Sequence, residues 1–376
     1  MRILYTGTLD SRAGGPAMSA YLTMKGLDWL GCQTVIVMPE LKEGGELRGE
    51  DVEVRYHGAP ILQKLGWTPD IERVIRDVED VDIYHAQGVW LWNTYALATV
   101  GRDKSKPYLI SPRGMLYPQD IAKSSTLFKK LSLRFKLLAD LNHAACVHAT
   151  CEEEMRHCRT LGVKSPICVI PNPVEIQDYA SDKKDEVFRV GYLGRLSPRK
   201  NVESLIHAFY RRIDELKDAE MLIIGGGDEV YEGRLKGLVE KYGLRNVKFA
   251  GFLNGAEKDA ALASCSIIVM PSEFENLGNV ILEGLVRRKP CIATKGAPWE
   301  DLSHNDCGWW VDYAQEAIED AIVEASRLPR ERLEEMGRNG RALVERKYSV
   351  EAVARRMKAV YEWVLGRREK PEWVCE

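Results

Sequence analysis

Apolar residues along this chain alternate between two textures: short unbroken runs, and longer stretches in which they recur every three or four positions. The runs Arg2 to Thr6, Thr34 to Met38, Val52 to Tyr56, Ile83 to Ala86, Tyr108 to Ser111, His143 to Thr150 and Ile167 to Ile170 predict buried strands. Ala17 to Leu30, about Pro69 to Val78 and Trp92 to Val100 have helical spacing. A second series predicts strands at Phe188 to Leu193, Met221 to Ile224, Val247 to Ala250, Ser266 to Met270, Pro290 to Thr294 and Gly308 to Val311. Three helices follow, Ala314 to Leu328, Glu331 to Arg346 and Ser349 to Leu365, and the tail after Gly366 predicts a loose end. Strand and helix alternating in this way is the signature of α/β domains with parallel, doubly wound sheets.

A polar, charged stretch from Asp178 to Glu186 separates the two series and reads as a linker. The expected domains are therefore 1–178 and 187–348, and 376 residues suffice for two cores of ordinary size. With 45% hydrophobic and 29% charged residues the chain reads as soluble and globular. A net charge of −3 gives no global argument for nucleic acid, so an anionic partner must be met by local charge. The nine cysteines include no Cys-x2-Cys pair and read as reduced core residues of a cytoplasmic protein. Neither a signal-peptide core nor an apolar run of bilayer length is present in the sequence.

Candidate chemistry concentrates at strand ends. After the strand ending at Met270, the loop Pro271 to Gly278 carries Glu275, and a helix beginning near Gly278 presents the amides of Gly278, Asn279 and Val280. Such a helix end favours phosphate and other oxygen-rich ligands. Glu283 shares a helical face with Asn279 and leans back toward the loop, so the two carboxylates can either accept sugar hydroxyls or stand solvated beside a capped helix. Gly194-Arg-Leu-Ser-Pro-Arg-Lys-Asn201 follows another strand, with Arg195 at the strand end, Lys200 at the helix start and Asn201 as the cap. A guanidinium and an ammonium converging there suit a diphosphate leaving group. Gly225-Gly-Gly-Asp228 is a strand-to-helix turn or a flexible loop, and Trp299 is expected to pack.

In the first series, Gly14 and Gly15 follow the first strand and either let backbone approach a phosphate or acceptor, or simply make a tight turn ahead of Pro16. The loop is not Gly-x-Gly-x-x-Gly, so a dinucleotide site is unsupported. Asp80-Val-Asp82 is a three-residue match to a metal-holding motif and reads instead as the start of a strand. His85 sits at a strand end, facing either a ligand or satisfied structural partners. Arg113, between Pro112 and Gly114 just beyond a strand, is expected to project toward the ligand. Lys123 to Lys136 contains Lys123, Lys129, Lys130, Arg134 and Lys136 with no acid. On a helical wheel Phe128, Leu131, Phe135 and Leu138 form one side, with Leu133 and Leu137 among the basic residues. That pattern suits either an anionic membrane surface or an ordinary solvated face. Thr150 to Glu153 reads as a capping box.

The Glu-x7-Glu spacing of Glu275 and Glu283 around Leu-Gly-Asn, with Gly-Arg-Leu-x-x-x-Lys-Asn before it, resembles the donor motifs of the large retaining glycosyltransferase family 4. The resemblance spans nearly the whole chain, is strongest from Gly194 to Glu283, and implies the GT-B architecture: two Rossmann-like parallel-sheet domains facing a deep cleft. It further implies that the last helix, about 349–376, packs back on the acceptor-side first domain. Arg195 and Lys200 would then stabilise a departing diphosphate, Glu275 contact the transferred sugar and Glu283 the ribose. The amides at Leu277, Gly278, Asn279 and Val280 would assist, with Gly14 and Gly15 facing the diphosphate. Leu277 replaces the usual aromatic, Pro173 replaces the glycine of a usual Pro-Asn-Gly, and Arg113 stands where many relatives have a histidine near the anomeric centre.

The reading is thus a metal-independent, cofactor-free, retaining transfer of a sugar from a nucleotide-diphosphate sugar to a carbohydrate or lipid-linked acceptor. Its expected setting is the cytoplasm, in surface polysaccharide or lipid-linked oligosaccharide synthesis, with peripheral membrane contact through 123–138. A nucleotide-sugar epimerase, or a non-catalytic nucleotide-sugar-binding subunit, is the alternative.

Overall fold

A computed structural model describes all residues except 42–44, 48–51, 62–65, 123–125, 178 and 180–186. The chain divides into two compact units, one of Met1–Glu175 with Ser349–Glu376 and one of Ile176–Tyr348. Most of the expected linker lies outside the described residues.

The first unit contains β1 (Arg2–Thr6), β2 (Gln33–Pro39), β3 (Glu53–His57), β4 (Ile83–Gln87), β5 (Tyr108–Ser111), β6 (Cys146–Ala149) and β7 (Ile167–Val169). The second contains β8 (Arg189–Leu193), β9 (Glu220–Ile224), β10 (Val247–Gly251), β11 (Ile267–Met270), β12 (Cys291–Thr294) and β13 (Gly308–Val311). The chain ends in β14 (Val374–Cys375). Strand order is β14-β7-β6-β5-β4-β1-β2-β3 in one sheet and β10-β9-β8-β11-β12-β13 in the other. Every pairing is parallel except that of β14 with β7. Helices cover the faces, which is why β5, β6, β11 and β12 are buried at every position and read as unbroken apolar runs.

Each order contains one reversal, between β1 and β4 in the first sheet and between β8 and β11 in the second. In open parallel sheets, ligands bind beyond the carboxyl ends of the two strands that flank such a reversal. The topology therefore nominates the loops after β1 and β4, and those after β8 and β11.

Helix Val350–Val364 belongs to the first unit, where it crosses helix Gly15–Trp29 at Gly26. A Cβ there would lie 2.7 Å from Ala354 Cβ and 2.9 Å from the Val350 carbonyl oxygen, so only glycine admits the crossing. Ser349 caps the returning helix by accepting from the Ala352 amide.

Four local expectations require correction. The tail is not loose: Pro371 onward returns along the sheet edge, Val374 pairs with Cys168, and the Trp373 carbonyl accepts from the Val169 amide at 3.0 Å. The capping box is displaced by one residue. Cys151 is the N-cap of helix Glu152–Thr160, and Glu154, not Glu153, reaches back to the Thr150 amide at 2.7 Å. Asn201 occupies the N-cap of helix Val202–Arg211 in a left-handed conformation, and its side chain makes no cap bond. In the basic segment, helix Thr126–Ser132 continues through a wider π-type turn, Leu133–Leu137, into helix Leu138–His143. Leu137 and Leu141 are buried in the core with Leu133 packed against it, which leaves Leu131 48% and Phe135 72% exposed. The leucines placed among the cations by a regular helical wheel thus face the core, as does Leu138 from the other side of the wheel. Lys123 and the side chain of Phe128 lie outside the described residues.

Candidate active site

In the second unit the β8 and β11 loops are locked together by backbone. The Glu273 amide donates to the Arg199 carbonyl at 2.9 Å, while the Glu275 amide ties the β11 loop to the β12 loop by donating to the Gly296 carbonyl at 2.8 Å. Lys200 Nζ forms an ion pair with Glu275 Oε1 across this junction, with both side chains more than four-fifths buried. The pair joins the residue expected on the diphosphate to the residue expected on the sugar. Arg195 is exposed, and its side chain has no hydrogen-bond or ionic partner among the described residues. Its carbonyl is held by the buried hydroxyl of Tyr192 at 2.9 Å.

The glycines after β9 are explained by close approach, not by flexibility. A Cβ on Gly225 would sit 1.9 Å from the Gly194 carbonyl oxygen, and one on Gly227 would sit 2.1 Å from that of Leu196. The β8 loop therefore lies directly on the β9 loop, with the Leu196 amide donating to the Gly226 carbonyl at 3.0 Å.

Helix Asn279–Val286 begins at Gly278, whose φ of 79° is left-handed, and no side chain caps it. A helix start of this kind, with no side chain at its N-cap, suits an anion or a polar ligand. Leu277 turns its side chain inward, and its carbonyl accepts from Trp299 Nε1. Trp299 is fully buried, as packing predicts, yet its indole N–H fixes the peptide that precedes the helix. Glu283, one helical turn on from Asn279, is bonded to Lys258 Nζ at 2.8 Å, with Arg287 Nη1 3.9 Å from the same carboxylate oxygen. The two glutamates are thus held by different lysines. Nothing in the sequence singles out Lys258, one cation within the short helix Gly255–Ala263.

In the first unit, Gly14 has φ 71° at the start of helix Gly15–Trp29 and nothing stands within 4 Å of where its Cβ would be. Pro16 lies in the helix's opening turn. Asp82 accepts from the Arg2 amide at 2.9 Å, a strand-edge contact that accounts for its place.

Arg113 does not extend outward. It lies in the turn closed by the Met115 amide on the Pro112 carbonyl, with φ 56° at Arg113 and 78° at Gly114. Its guanidinium folds back, and the residue is 9% exposed. Nε donates to Gln87 Oε1 at 2.8 Å, and Nη1 to Asn172 Oδ1 at 2.7 Å and Ser19 Oγ at 3.1 Å. The same turn is fixed from behind by Glu154, which accepts from the Gly114 amide.

Beside it runs a buried chain of hydrogen bonds. Tyr5 Oη meets Tyr361 Oη at 2.6 Å, and Tyr361 Oη meets His85 Nδ1 at 2.6 Å. His85 Nε2 meets Ser111 Oγ at 2.7 Å, Ser111 Oγ meets His148 Nδ1 at 2.8 Å, and His148 Nε2 meets the Ile170 carbonyl at 2.8 Å. The carbonyl can only accept, so His148 Nε2 carries hydrogen and a neutral Nδ1 accepts from Ser111. The same logic makes His85 Nε2 a donor and Nδ1 an acceptor from Tyr361. Burial holds His85 well below the ordinary histidine range and pulls His148 down to about 3, with the neighbouring Arg113 charge acting in the same direction on both. His85 is therefore the satisfied structural histidine of the two readings.

A family model described as glycosyl transferases group 1 matches residues 174–343, and one described as a glycosyl transferase 4-like domain matches residues 14–173. The GDP-mannose-dependent monoacylated alpha-(1-6)-phosphatidylinositol monomannoside mannosyltransferase of Corynebacterium glutamicum is 34% identical over 172 residues, 43% of this chain and 44% of that protein. The phosphatidyl-myo-inositol mannosyltransferase of Mycobacterium leprae is 30% identical over 213 residues, 54% of each. The matched regions span about half or less of such curated relatives. Among solved structures, HepE of Anabaena in complex with UDP and glucose superposes with a TM-score of 0.76 at 18% identity, covering 95% of this chain and 98% of that one. Sucrose-phosphate synthase from Thermosynechococcus elongatus gives 0.78 at 18% identity, covering 97% and 99%. These two likenesses carry the fold. With the two family models running from residue 14 to residue 343, and two parallel sheets each reversing once, the chain belongs to the group 1, family 4 glycosyltransferases of GT-B fold.

Proposed function

We propose that the chain is a retaining glycosyltransferase that moves a sugar from a nucleotide-diphosphate sugar to an acceptor hydroxyl. The observation that carries this reading is the Lys200–Glu275 pair at the β8/β11 reversal, set beside the uncapped start of helix Asn279–Val286. A diphosphate arriving there finds Arg195 with no competing partner, Lys200, and helix amides, all of which stabilise charge that grows as the glycosidic bond breaks. Lys200 then shifts its ammonium from Glu275 to phosphate, and the released carboxylate accepts hydroxyls of the sugar.

In the reaction, the bond from the anomeric carbon to the phosphate oxygen breaks and the bond to the acceptor oxygen forms on the same face. The acceptor's proton passes to the leaving phosphate oxygen, so atoms and charge balance without a protein nucleophile. Glu283 binds the ribose, and the two cations supply the neutralising charge for a reaction that needs no metal. GDP-mannose is the first donor to try, because the Corynebacterium relative is named as GDP-mannose-dependent.

The test is nucleotide diphosphate release from a panel of UDP-, GDP- and ADP-sugars without added metal, with Glu283→Ala as the control. Release from one donor, reduced at least tenfold in the variant, is the expected result, since a buried charged hydrogen bond is worth about 1.5–3 kcal/mol. Failure of every nucleotide to bind by calorimetry sinks the reading.

A lipid-borne acceptor fits the phosphatidylinositol for which these two relatives are named and the surface of the basic segment. There Lys130, Leu131, Arg134 and Phe135 are all exposed, and Lys130 and Arg134 have no partner among the described residues. We infer a peripheral contact with anionic membrane at this surface. Cosedimentation with phosphatidylglycerol vesicles, weakened severalfold by Lys130→Glu with Arg134→Glu and by added salt, is expected; equal sedimentation of both proteins excludes it.

A further inference from the structure

The turn that carries Arg113 is costly in two ways. Its central residues Arg113 and Gly114 both have positive φ, a geometry that favours glycine and asparagine and that an arginine adopts only under constraint. Its guanidinium is also withdrawn from water, and an arginine cannot shed its proton to escape the penalty. The partners gathered around it, Gln87, Asn172 and Ser19, are all neutral. No carboxylate of a described residue lies within ion-pair distance. The carboxylate nearest in effect, Glu154, already accepts from the amides of Gly114 and Thr150 and from Thr150 Oγ1.

A structural clamp on Gln87, Asn172 and Ser19 would need donors but no charge. Arginine adds a fixed cation, and Nη2 has no hydrogen-bond partner among the described residues. The position matches as well. Gln87 ends β4, and a Cβ on Gly7, just after β1, would lie 3.0 Å from Gln87 Cβ, so the guanidinium is anchored under the β1/β4 reversal.

We propose that Arg113 is the floor of an oxyanion subsite in the first unit, receiving a phosphate or carboxylate borne by one of the two substrates. The planar fork is already oriented by three hydrogen bonds, so the remaining nitrogen meets the oxyanion without further ordering. This subsite rests on the transferase reading for the identity of its ligands, but not for its existence.

The experiment uses full-length protein carrying Arg195→Ala and Lys200→Ala, so that the second unit's cations do not compete. Inorganic phosphate and acetate are titrated against sodium chloride at constant ionic strength. The Arg113 Nε–H NMR signal, identified by its loss in Arg113→Lys, and the Gly114 amide are followed. A saturating shift with phosphate or acetate that chloride does not produce is expected, with affinity roughly tenfold weaker at the Gly114 amide in Arg113→Lys. Shifts no larger than those with chloride overturn the proposal.

The source of the oxyanion follows from two further titrations. A nucleoside diphosphate that moves the Arg113 signal only when Arg195 and Lys200 are intact assigns it to the donor; glycerol phosphate or glucuronate that moves it in either background assigns it to the acceptor. Normal turnover with an Arg113 blind to anions sinks this proposal alone. An Arg113 that binds phosphate in a protein that binds no nucleotide sinks the transferase reading alone.

Discussion

His148 and His85 are neutral members of a hydrogen-bonded chain whose direction is imposed by the Ile170 carbonyl at one end. Protonating either ring would set two donors against each other at Ser111 or Tyr361, in a site next to the Arg113 charge. Both pKa values are lower in the folded chain than in the unfolded one, so between the ordinary histidine value and about 3 the unfolded chain binds more protons. Stability is therefore full above about pH 6.5 and is lost as pH falls through that window, by at most about 1.4 kcal/mol per pH unit for each histidine. Urea unfolding from pH 7 to 4 should show this slope, and His148→Gln should flatten it. Gln can still donate to Ile170 and accept from Ser111 but cannot take up a proton. An unchanged slope in the variant would place the acid sensitivity elsewhere. A strand-end histidine in a sequence is ambiguous, because its partner Tyr361 lies far along the chain and only the return of the last helix brings it near.

At the scale of elements, what could be read in advance was whatever depends on neighbours in sequence. Strands β1 and β5 fall where the apolar runs put them, because a strand buried on both faces needs an unbroken run, and the half-buried edge strand β13 falls at its apolar run as well. The start of helix Asn279–Val286 was legible for the same reason: Gly278 supplies the left-handed residue on which the turn depends. Misreadings occur where a distant group intervenes. The Thr150 cap shifted by one because Glu154, rather than Glu153, finds the Gly114 amide of another loop. The triple glycine after β9 looked like slack because the Gly194 and Leu196 carbonyls that forbid a Cβ belong to the β8 loop. In the basic segment a regular wheel failed because the wider turn at Leu133–Leu137 changes which leucines reach the core. Lys200 and Glu275 were each legible as charged residues at strand ends, but their pairing was not, since it depends on β8 and β11 being adjacent.

At the scale of the whole molecule, the first unit is assembled from both ends of the chain, and its outer sheet edge is closed by the last residues. Without β14, the short strand β7 would expose its amides and carbonyls along a free parallel edge, which is a template for association. The closing contacts are specific. Val374 is buried against the core that holds Cys168 and Ile170, the Trp373 carbonyl accepts from Val169, and Arg159 Nη2 donates to the Cys375 carbonyl at 3.0 Å. Burying a valine side chain contributes about 1.5–3 kcal/mol, so these few residues matter to a unit of ordinary marginal stability. Deleting Gly366–Glu376 should lower the first unit's melting transition by several degrees and promote aggregation at high concentration. The second unit closes its own sheet within Ile176–Tyr348, so nucleoside diphosphate affinity in the truncated protein should stay within about twofold of the full chain. Calorimetric melting and nucleotide titration on the same sample check both halves of the argument. An unshifted melt would mean that β14 is passive, and a lost nucleotide affinity would mean that the units depend on each other.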